Sequence, residues 1–341
     1  MIIEIVSELS TRRTRPEKQV RLRLNGFLGG LVAAFLFAFL FPSLGAKGGI
    51  LHTETTGKVA IFLIFLIQGL ALRTETLARG LLAWRVHLFI HAVMFVGIPM
   101  LMWLTLRLPL LHLEPALRTG FLLLSMLPTT ISTAAVFTAR AGGNITVAIF
   151  NSSISNVLGI FIVPLWIGWI SHGNGQLIPV SSVLGEITVI LLVPLVIGQI
   201  ARPCIRSLVE TNGSRLGAVT TALILFIVFA ALSNSFVSRV WEGGGWATVL
   251  TALLGALVLL SVVTLLTAKL LRWTNFSRED RIAALFCASQ KTLAAGIPLA
   301  QAIFANGPLP VGLIVLPIMA YHVSQLLLGA GLVEYLKRQS S

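Results

Sequence analysis

Ten long apolar runs alternate with short polar connections along the chain. Each run is close to the ~20 residues that a helix needs to cross about 30 Å of hydrocarbon. None shows the strict alternation of a membrane barrel strand, and backbone groups in lipid must be satisfied within the segment. The pattern predicts an all-α polytopic membrane protein with ten transmembrane helices, at about 26–45, 57–75, 84–106, 117–139, 144–170, 180–201, 214–234, 246–270, 280–305 and 310–334.

The first run has a second interpretation as a signal peptide. Basic residues precede it, and Ser43, Leu44 and Gly45 resemble a cleavage site. A signal-peptide apolar region spans only about 7–15 residues, and this run is longer. We therefore interpret it as the first helix.

Composition supports the membrane assignment and removes several functions. Of the 341 residues, 56% are hydrophobic and 11% are charged, against about 25% charged in a soluble domain. A soluble enzyme on a single anchor is therefore excluded. The net charge of +13 comes from Lys and Arg in short connections, without a basic stripe carrying stacking aromatics. We expect a lipid bilayer as partner and no nucleic acid.

The distribution of basic residues predicts the orientation. Nineteen of the 25 Lys and Arg residues fall in the two tails and in alternate connections, which all lie on one side of a ten-helix protein. Cytoplasmic loops carry this excess. The prediction is a multi-pass protein of the plasma (bacterial inner) membrane with both termini cytoplasmic. It has a basic tail over 1–25, a transporter domain over 26–335 and a short tail over 336–341.

The fourth helix of each half of the chain is unusual. Splitting the chain after the fifth helix gives two repeats of five helices each, about 26–170 and 180–334. Because five is an odd number, the two repeats would have opposite orientations in the membrane. Pro128 and Pro298 are expected to break the fourth and ninth helices beside polar clusters, a pattern that indicates a transporter binding site. Close helix packing is the simpler reading of such polar residues. The clusters hold Ser125, Thr129, Thr130, Ser132 and Thr133 in the fourth helix, and Ser289, Gln290, Lys291 and Thr292 in the ninth.

Two segments resemble the signature regions of the bile acid/sodium symporter superfamily, in its SBF-like orphan branch. They are 125–164, "SMLPTTISTAAVFTARAGGNITVAIFNSSISNVLGIFIVP", and 286–300, "FCASQKTLAAGIPLA". The resemblance covers roughly 20–335. It implies two inverted five-helix repeats, a panel and a core domain, interrupted fourth and ninth helices crossing near the midplane, two sodium ions and an organic anion. The polar residues that it implies at the binding sites are Gln68, Thr130, Ser132, Thr133 and Gln290, together with a fifth-helix position that falls near Asn151, Ser152 or Ser153.

Lys291 marks a departure from this family. Sodium-coupled members have a ninth-helix glutamate that binds both ions, and Phe286 stands at that position here. An intramembrane lysine is costly and is by default a functional candidate. We interpret its charge, fixed or titrating, as the replacement for a bound cation; snorkelling to an interface is the alternative. Na⁺ or H⁺ remains the candidate coupling ion, with weak Na⁺ binding expected.

The sequence favours a secondary transporter of a small organic anion over an enzyme. An intramembrane enzyme or a channel-like regulator is the alternative, but apart from the terminal residues of the runs the apolar segments offer only one carboxylate, Glu186, and no hydrolase motif. Glu186 is either an interfacial charge or a partner for Lys291. His87 and His91 have the spacing of two metal ligands without a third, so we expect no metal beyond a sodium site and no cofactor.

Overall fold

The computed structural model describes residues 29–72, 83–108, 113–173, 180–238 and 245–338, without the side chains of 171–188. This part of the chain contains helices and no strand. The helices are α1 Gly29–Leu40, α2 Pro42–Gly45, α3 Thr53–Ala71, α4 Trp84–Ala92, α5 Ile98–Thr105, α6 Pro115–Met126, α7 Ile131–Arg140, α8 Ile145–Gly173, α9 Val180–Thr211, α10 Gly213–Val237, α11 Gly245–Leu271, α12 Arg278–Ser289, α13 Leu293–Phe304 and α14 Val311–Arg338.

The helices confirm an all-α polytopic membrane protein, but not the number of spans. Among the described residues, eight helices are long and apolar enough to cross a bilayer, if α4–α5 and α12–α13 each count as one. The bent pair α6–α7 makes nine. The predicted first span, 26–45, contains α1, which is shorter than a full span, followed by the single turn α2.

Side-chain caps explain where several helices begin. The Glu114 carboxylate accepts from the Leu117 N–H at 3.0 Å before α6, and Ser277 accepts from the Asp280 N–H at 3.1 Å before α12. Such caps satisfy backbone donors that have no partner inside the helix. Gly142 has a φ of +74° in the turn between α7 and α8, a conformation that glycine adopts without strain.

Helices α3 and α9 form the tightest pair through two glycines. A Cβ on Gly69 would contact the Leu195 carbonyl, and one on Gly198 would contact the Leu66 carbonyl and lie 3.0 Å from the Gly69 Cα. Small residues allow such close backbone contact in membrane helices. Arg202 of α9 is buried and donates to the Leu70 carbonyl at 2.6 Å, which satisfies the C-terminal end of α3.

The remaining helices position the polar clusters. Helix α14 packs against α6, α11 and α13, while α8 packs against α7 and α12. Helix α10 packs against α3 on one side and against α13 and α14 on the other. The segment α12–α13 is the most deeply enclosed span, with 94% of its most apolar window buried inside the protein. A span shielded from lipid in this way can carry polar residues.

Candidate functional site

The first broken helix separates α6 from α7 over Leu127 to Thr130, with a bend of 57°. Pro128 causes the break, because proline forces the preceding residue out of the helical region. Leu127 accordingly has φ −64° and ψ 147°. Proline also has no N–H for the last carbonyls of α6. These buried carbonyls therefore need donors from elsewhere.

The second broken helix separates α12 from α13 over Gln290 to Thr292, where Gln290 has ψ 146° and Thr292 has ψ 125°. The prediction that Pro298 makes this break is wrong, since Pro298 lies inside α13. Side chains of α14 hold the extended segment instead. Gln325 accepts from the Lys291 N–H at 2.8 Å and donates to the Lys291 carbonyl at 2.9 Å. The Tyr321 hydroxyl donates to the Ser289 carbonyl at 2.5 Å.

The two breaks contact each other directly. The Thr292 N–H donates to the Pro128 carbonyl at 2.8 Å. The Gln290 Oε1 atom accepts from the hydroxyl of Thr133 at 2.8 Å and from that of Thr130 at 3.2 Å. Thr130 also accepts from the Ala134 N–H and so caps α7. Two segments that lie about 160 residues apart in sequence thus form one buried cluster.

Lys291 lies at the centre of this cluster and is 3% exposed. Its Nζ atom donates to the carbonyls of Ser125 and Leu127, both at 2.8 Å, and of Met94 at 3.3 Å. The three donors of an ammonium group therefore have three acceptors. These contacts exclude the snorkelling interpretation. A positive charge is also favourable here, because two of the carbonyls belong to the C-terminal end of α6.

No carboxylate forms an ion pair with Lys291 among the side chains that the structure describes. Glu186 is outside that set, so its pairing with Lys291 stays a prediction. The ammonium group is stabilised by backbone dipoles at a helix end. Carbonyl oxygens of this kind are also ligands for hard cations.

Helix α8 supplies the other polar residues beside the first break. Asn156 donates to the Thr129 carbonyl at 3.0 Å, and Asn151 donates to His87 Nδ1 at 2.9 Å. Asn151 Oδ1 and Thr129 Oγ1 are buried without a hydrogen-bond partner, and the buried Ser152 Oγ lies beside the Cys287 thiol. Such oxygens could ligate Na⁺. They are the part of the described site that fits a coupling ion.

The other predicted site residues lie at varying distances from the cluster. Ser289 is buried at the end of α12, and Thr292 is buried at the start of α13. Ser153 is buried on α8, whereas Ser132 is exposed on α7. Gln68 is half-buried on α3, and none of the described hydrogen bonds of the cluster involves it or Ser132. Their roles stay predictions.

The histidines do not form a described metal site. His91 Nδ1 donates to the His87 carbonyl at 2.8 Å, which is a contact within one helix. No group of three metal-ligating side chains occurs within the described ranges. His322 accepts from Gln325 Nε2 at 3.0 Å, so it lies beside the second break.

Two side chains of the cluster, Tyr321 and Asn156, were not among the residues singled out from the sequence. Polar side chains inside apolar runs are the signal that could have found them. The Met94 carbonyl has no such signal, because it is a backbone group of another helix.

A cavity of ≈ 430 Å³ reaches the cluster between α11 and α14. Ser289, Gln290 and Gln325 contribute polar atoms, and leucines such as Leu260 and Leu328 form much of the wall. Gln290 Nε2 is buried and has no hydrogen-bond partner. It could donate to a ligand that carries an acceptor group.

Residues 25–338 match the SBF-like CPA transporter family. The chain belongs to this family. The match covers both broken helices and every residue of the cluster, and it confirms the resemblance of the two signature segments.

Two SBF-like relatives show the range of the similarity. "Putative symporter YfeH" of Escherichia coli (strain K12) is 34% identical over 317 residues, covering 93% of this chain and 94% of that protein. "Sodium/bile acid cotransporter 7" of Danio rerio is 32% identical over 320 residues, covering 93% and 95%. With the apolar helices, these matches identify a multi-pass transmembrane protein of a transporter family and support a secondary transporter.

Proposed function

We propose that this protein is a secondary transporter of a small organic anion that works by alternating access. The observation that carries the proposal is the buried Lys291 ammonium group at the contact between two broken helices. A buried cation is expensive and marks substrate or ion pathways in membrane proteins. Helices α7 and α13 begin at this contact and add the partial positive charge of their N-termini. A carboxylate or sulfonate is the ligand class that this field favours.

Two features support an alternating-access arrangement. The described part of the chain contains two broken helices, α6–α7 and α12–α13, and we assign them to corresponding positions of a ten-span, inverted five-plus-five architecture in which α1 contributes the first span. Helices α3, α9 and α10 pack together, and we assign them with α1 to a panel that rocks against the core carrying both breaks. The excess of basic residues in alternate connections supports cytoplasmic termini in the plasma (bacterial inner) membrane.

Lys291 replaces a bound cation in this proposal. Its ammonium group contacts carbonyls at the end of α6, where a metal cation could also find oxygen ligands. Na⁺ and H⁺ are both candidate coupling ions, and the unpartnered oxygens near α8 are where we expect Na⁺ to bind weakly. The relatives named sodium/bile acid cotransporters support an organic anion as substrate.

The proposal is tested by counterflow in proteoliposomes loaded with taurocholate, which serves as the first probe because it is a sulfonated organic anion. We expect uptake of the labelled compound to exceed uptake by loaded liposomes that contain no protein. Excess unlabelled compound added outside should compete with the labelled compound and reduce its uptake. Small aromatic carboxylates and sulfonates form the next set of probes. Absence of counterflow for all of them, with folded protein in the membrane, would contradict transport of a small organic anion.

The coupling ion is tested by thermal unfolding in NaCl and in choline chloride at equal ionic strength. A ligand that binds only the folded state stabilises it by about 2.7 kcal/mol at a hundredfold excess over its Kd. We expect no clear Na⁺-specific rise in the midpoint at moderate salt, because Lys291 supplies the charge. A large rise would show that sodium binds tightly without the family's glutamate and would overturn the replacement of a cation by Lys291.

A further inference from the structure

A π-helical turn joins α4 to α5 over Val93–Gly97 and leaves a carbonyl without a backbone donor. In this turn the Ile98 N–H donates to the Val93 carbonyl, five residues earlier. Pro99 follows and has no N–H. The Met94 carbonyl therefore has neither possible helical donor, since the N–H of Ile98 is taken and that of Pro99 does not exist.

Two side chains from outside α4 and α5 donate to backbone carbonyls that lack a helical donor because of Pro99. Lys291 Nζ donates to the Met94 carbonyl at 3.3 Å. The next carbonyl, of Phe95, also loses its α-helical donor to Pro99, and the Trp166 indole donates to it at 2.8 Å. Met94 and Phe95 are both buried, so neither carbonyl has water as a partner. Turns of this kind occur frequently at functional sites.

We infer that Pro99 is a positioning residue for Lys291, acting through the Met94 carbonyl. With Pro99 present, the ammonium group is held between α6 and the turn that precedes α5. An ordinary residue there has a backbone N–H that faces the Phe95 and Met94 carbonyls, four and five residues earlier. Because Trp166 already donates to the Phe95 carbonyl at 2.8 Å, we expect the N–H to compete with Lys291 for the Met94 carbonyl, where the lysine bond is longer, at 3.3 Å, and the ammonium group then keeps only Ser125 and Leu127 as acceptors. The effect of Pro99 on transport rests on the function proposed above, whereas its effect on the stability of the fold does not.

The test is a double-mutant cycle on the thermal unfolding midpoint of purified protein. Pro99→Ala is measured in the wild type and in Lys291→Met, which removes the ammonium group but keeps an unbranched stem. In Lys291→Met the Met94 carbonyl is orphaned, so the new N–H satisfies it. We expect the shift caused by Pro99→Ala to be more favourable there than in the wild type by about 2 °C or more. Equal shifts in both backgrounds would overturn the inference.

Pro194→Ala is the matched control, because Pro194 also lies inside a spanning helix, α9. It should shift the midpoint equally in both backgrounds. If Pro99→Ala alone yields no folded protein, the Pro99→Ala/Lys291→Met double variant is the readout, because the Met94 carbonyl then has one donor and no competitor. Recovery of folded protein in the double variant is expected, and failure of the double variant as well would overturn the inference.

Taurocholate counterflow separates this inference from the proposed function. Pro99→Ala should lower uptake by about fivefold, because Lys291 loses one of three acceptors. A coupled thermal cycle with unchanged uptake in both Pro99→Ala and Lys291→Ala would leave the positioning role standing and remove the proposed function. Lost uptake in Lys291→Ala together with an additive thermal cycle would support the proposed function and overturn the positioning role of Pro99.

Discussion

Lys291→Ala should remove transport while leaving the protein folded. The substitution deletes an ammonium group that donates to three carbonyls, two of them at 2.8 Å. The same ammonium group attracts a carboxylate or sulfonate ligand about 6 Å away by about 3 kcal/mol, for an effective dielectric constant of about 20. That energy corresponds to a factor of about 100 in binding.

The effect on stability should be smaller than the effect on transport. Orphaned buried carbonyls cost about 1–3 kcal/mol each. Removing the lysine also removes the penalty for burying its charge, which is several kcal/mol and offsets much of this cost. We therefore expect the free energy of unfolding to fall by about 1–3 kcal/mol, and taurocholate counterflow to fall by about 100-fold.

The assay measures counterflow and the thermal midpoint on the same preparations. Lys58→Ala is the control, since Lys58 is an exposed lysine on α3, and it should change neither quantity. Na⁺ should raise the midpoint of Lys291→Ala relative to choline, because a cation can then approach the freed carbonyls. Wild-type uptake together with a wild-type midpoint in Lys291→Ala would refute the reasoning, and a missing Na⁺ effect would refute the replacement of a cation.

Two further substitutions test the packing around the site. Gln325→Leu orphans the N–H and the carbonyl of Lys291, so the free energy of unfolding should fall by about 2–4 kcal/mol and counterflow should drop. Gln301→Leu, at a half-buried position of α13, is the comparison, and equal losses in the two variants would contradict the role of Gln325 in holding the Lys291 backbone. Gly198→Ala should cost about 1–3 kcal/mol, because its Cβ would contact backbone atoms of α3. Gly217→Ala on α10 is the control, because a Cβ there has open space, and it should be neutral or slightly stabilising. Equal changes of the unfolding free energy in Gly198→Ala and Gly217→Ala, measured by chemical unfolding, would contradict the tight α3–α9 contact.

Much of the fold is legible in the sequence because lipid imposes a simple rule on backbone groups. The predicted spans 84–106 and 246–270 agree closely with Trp84–Thr105 and Gly245–Leu271. Helical structure extends beyond the predicted 180–201, because a second helical segment follows a kink at Ile205, with φ −120° and ψ 20°, and ends at Thr211. Buried Arg202 is accommodated there by the Leu70 carbonyl, a partner that hydropathy does not reveal.

The candidate site was predicted in part. Pro128 identified the first break correctly, since proline acts on the residue directly before it. Pro298 misplaced the second, because it is the sixth residue of α13, where it removes one helical hydrogen bond without ending the helix. The break at Gln290 to Thr292 depends on Gln325 and Tyr321, which approach from another helix.

The sequence by itself determined that this protein is helical, lies in a membrane, and carries a lysine beside two polar interruptions, because these follow from residue type and local spacing. Only the tertiary structure decided what Lys291 contacts. Its three acceptors are backbone carbonyls of Ser125, Leu127 and Met94, and backbone carbonyls are the same in every residue. Pro99 and Pro128 leave nearby carbonyls without helical donors, but which of these carbonyls lie near the ammonium group depends on how α5, α6 and α12 pack, and no local pattern of side chains specifies that.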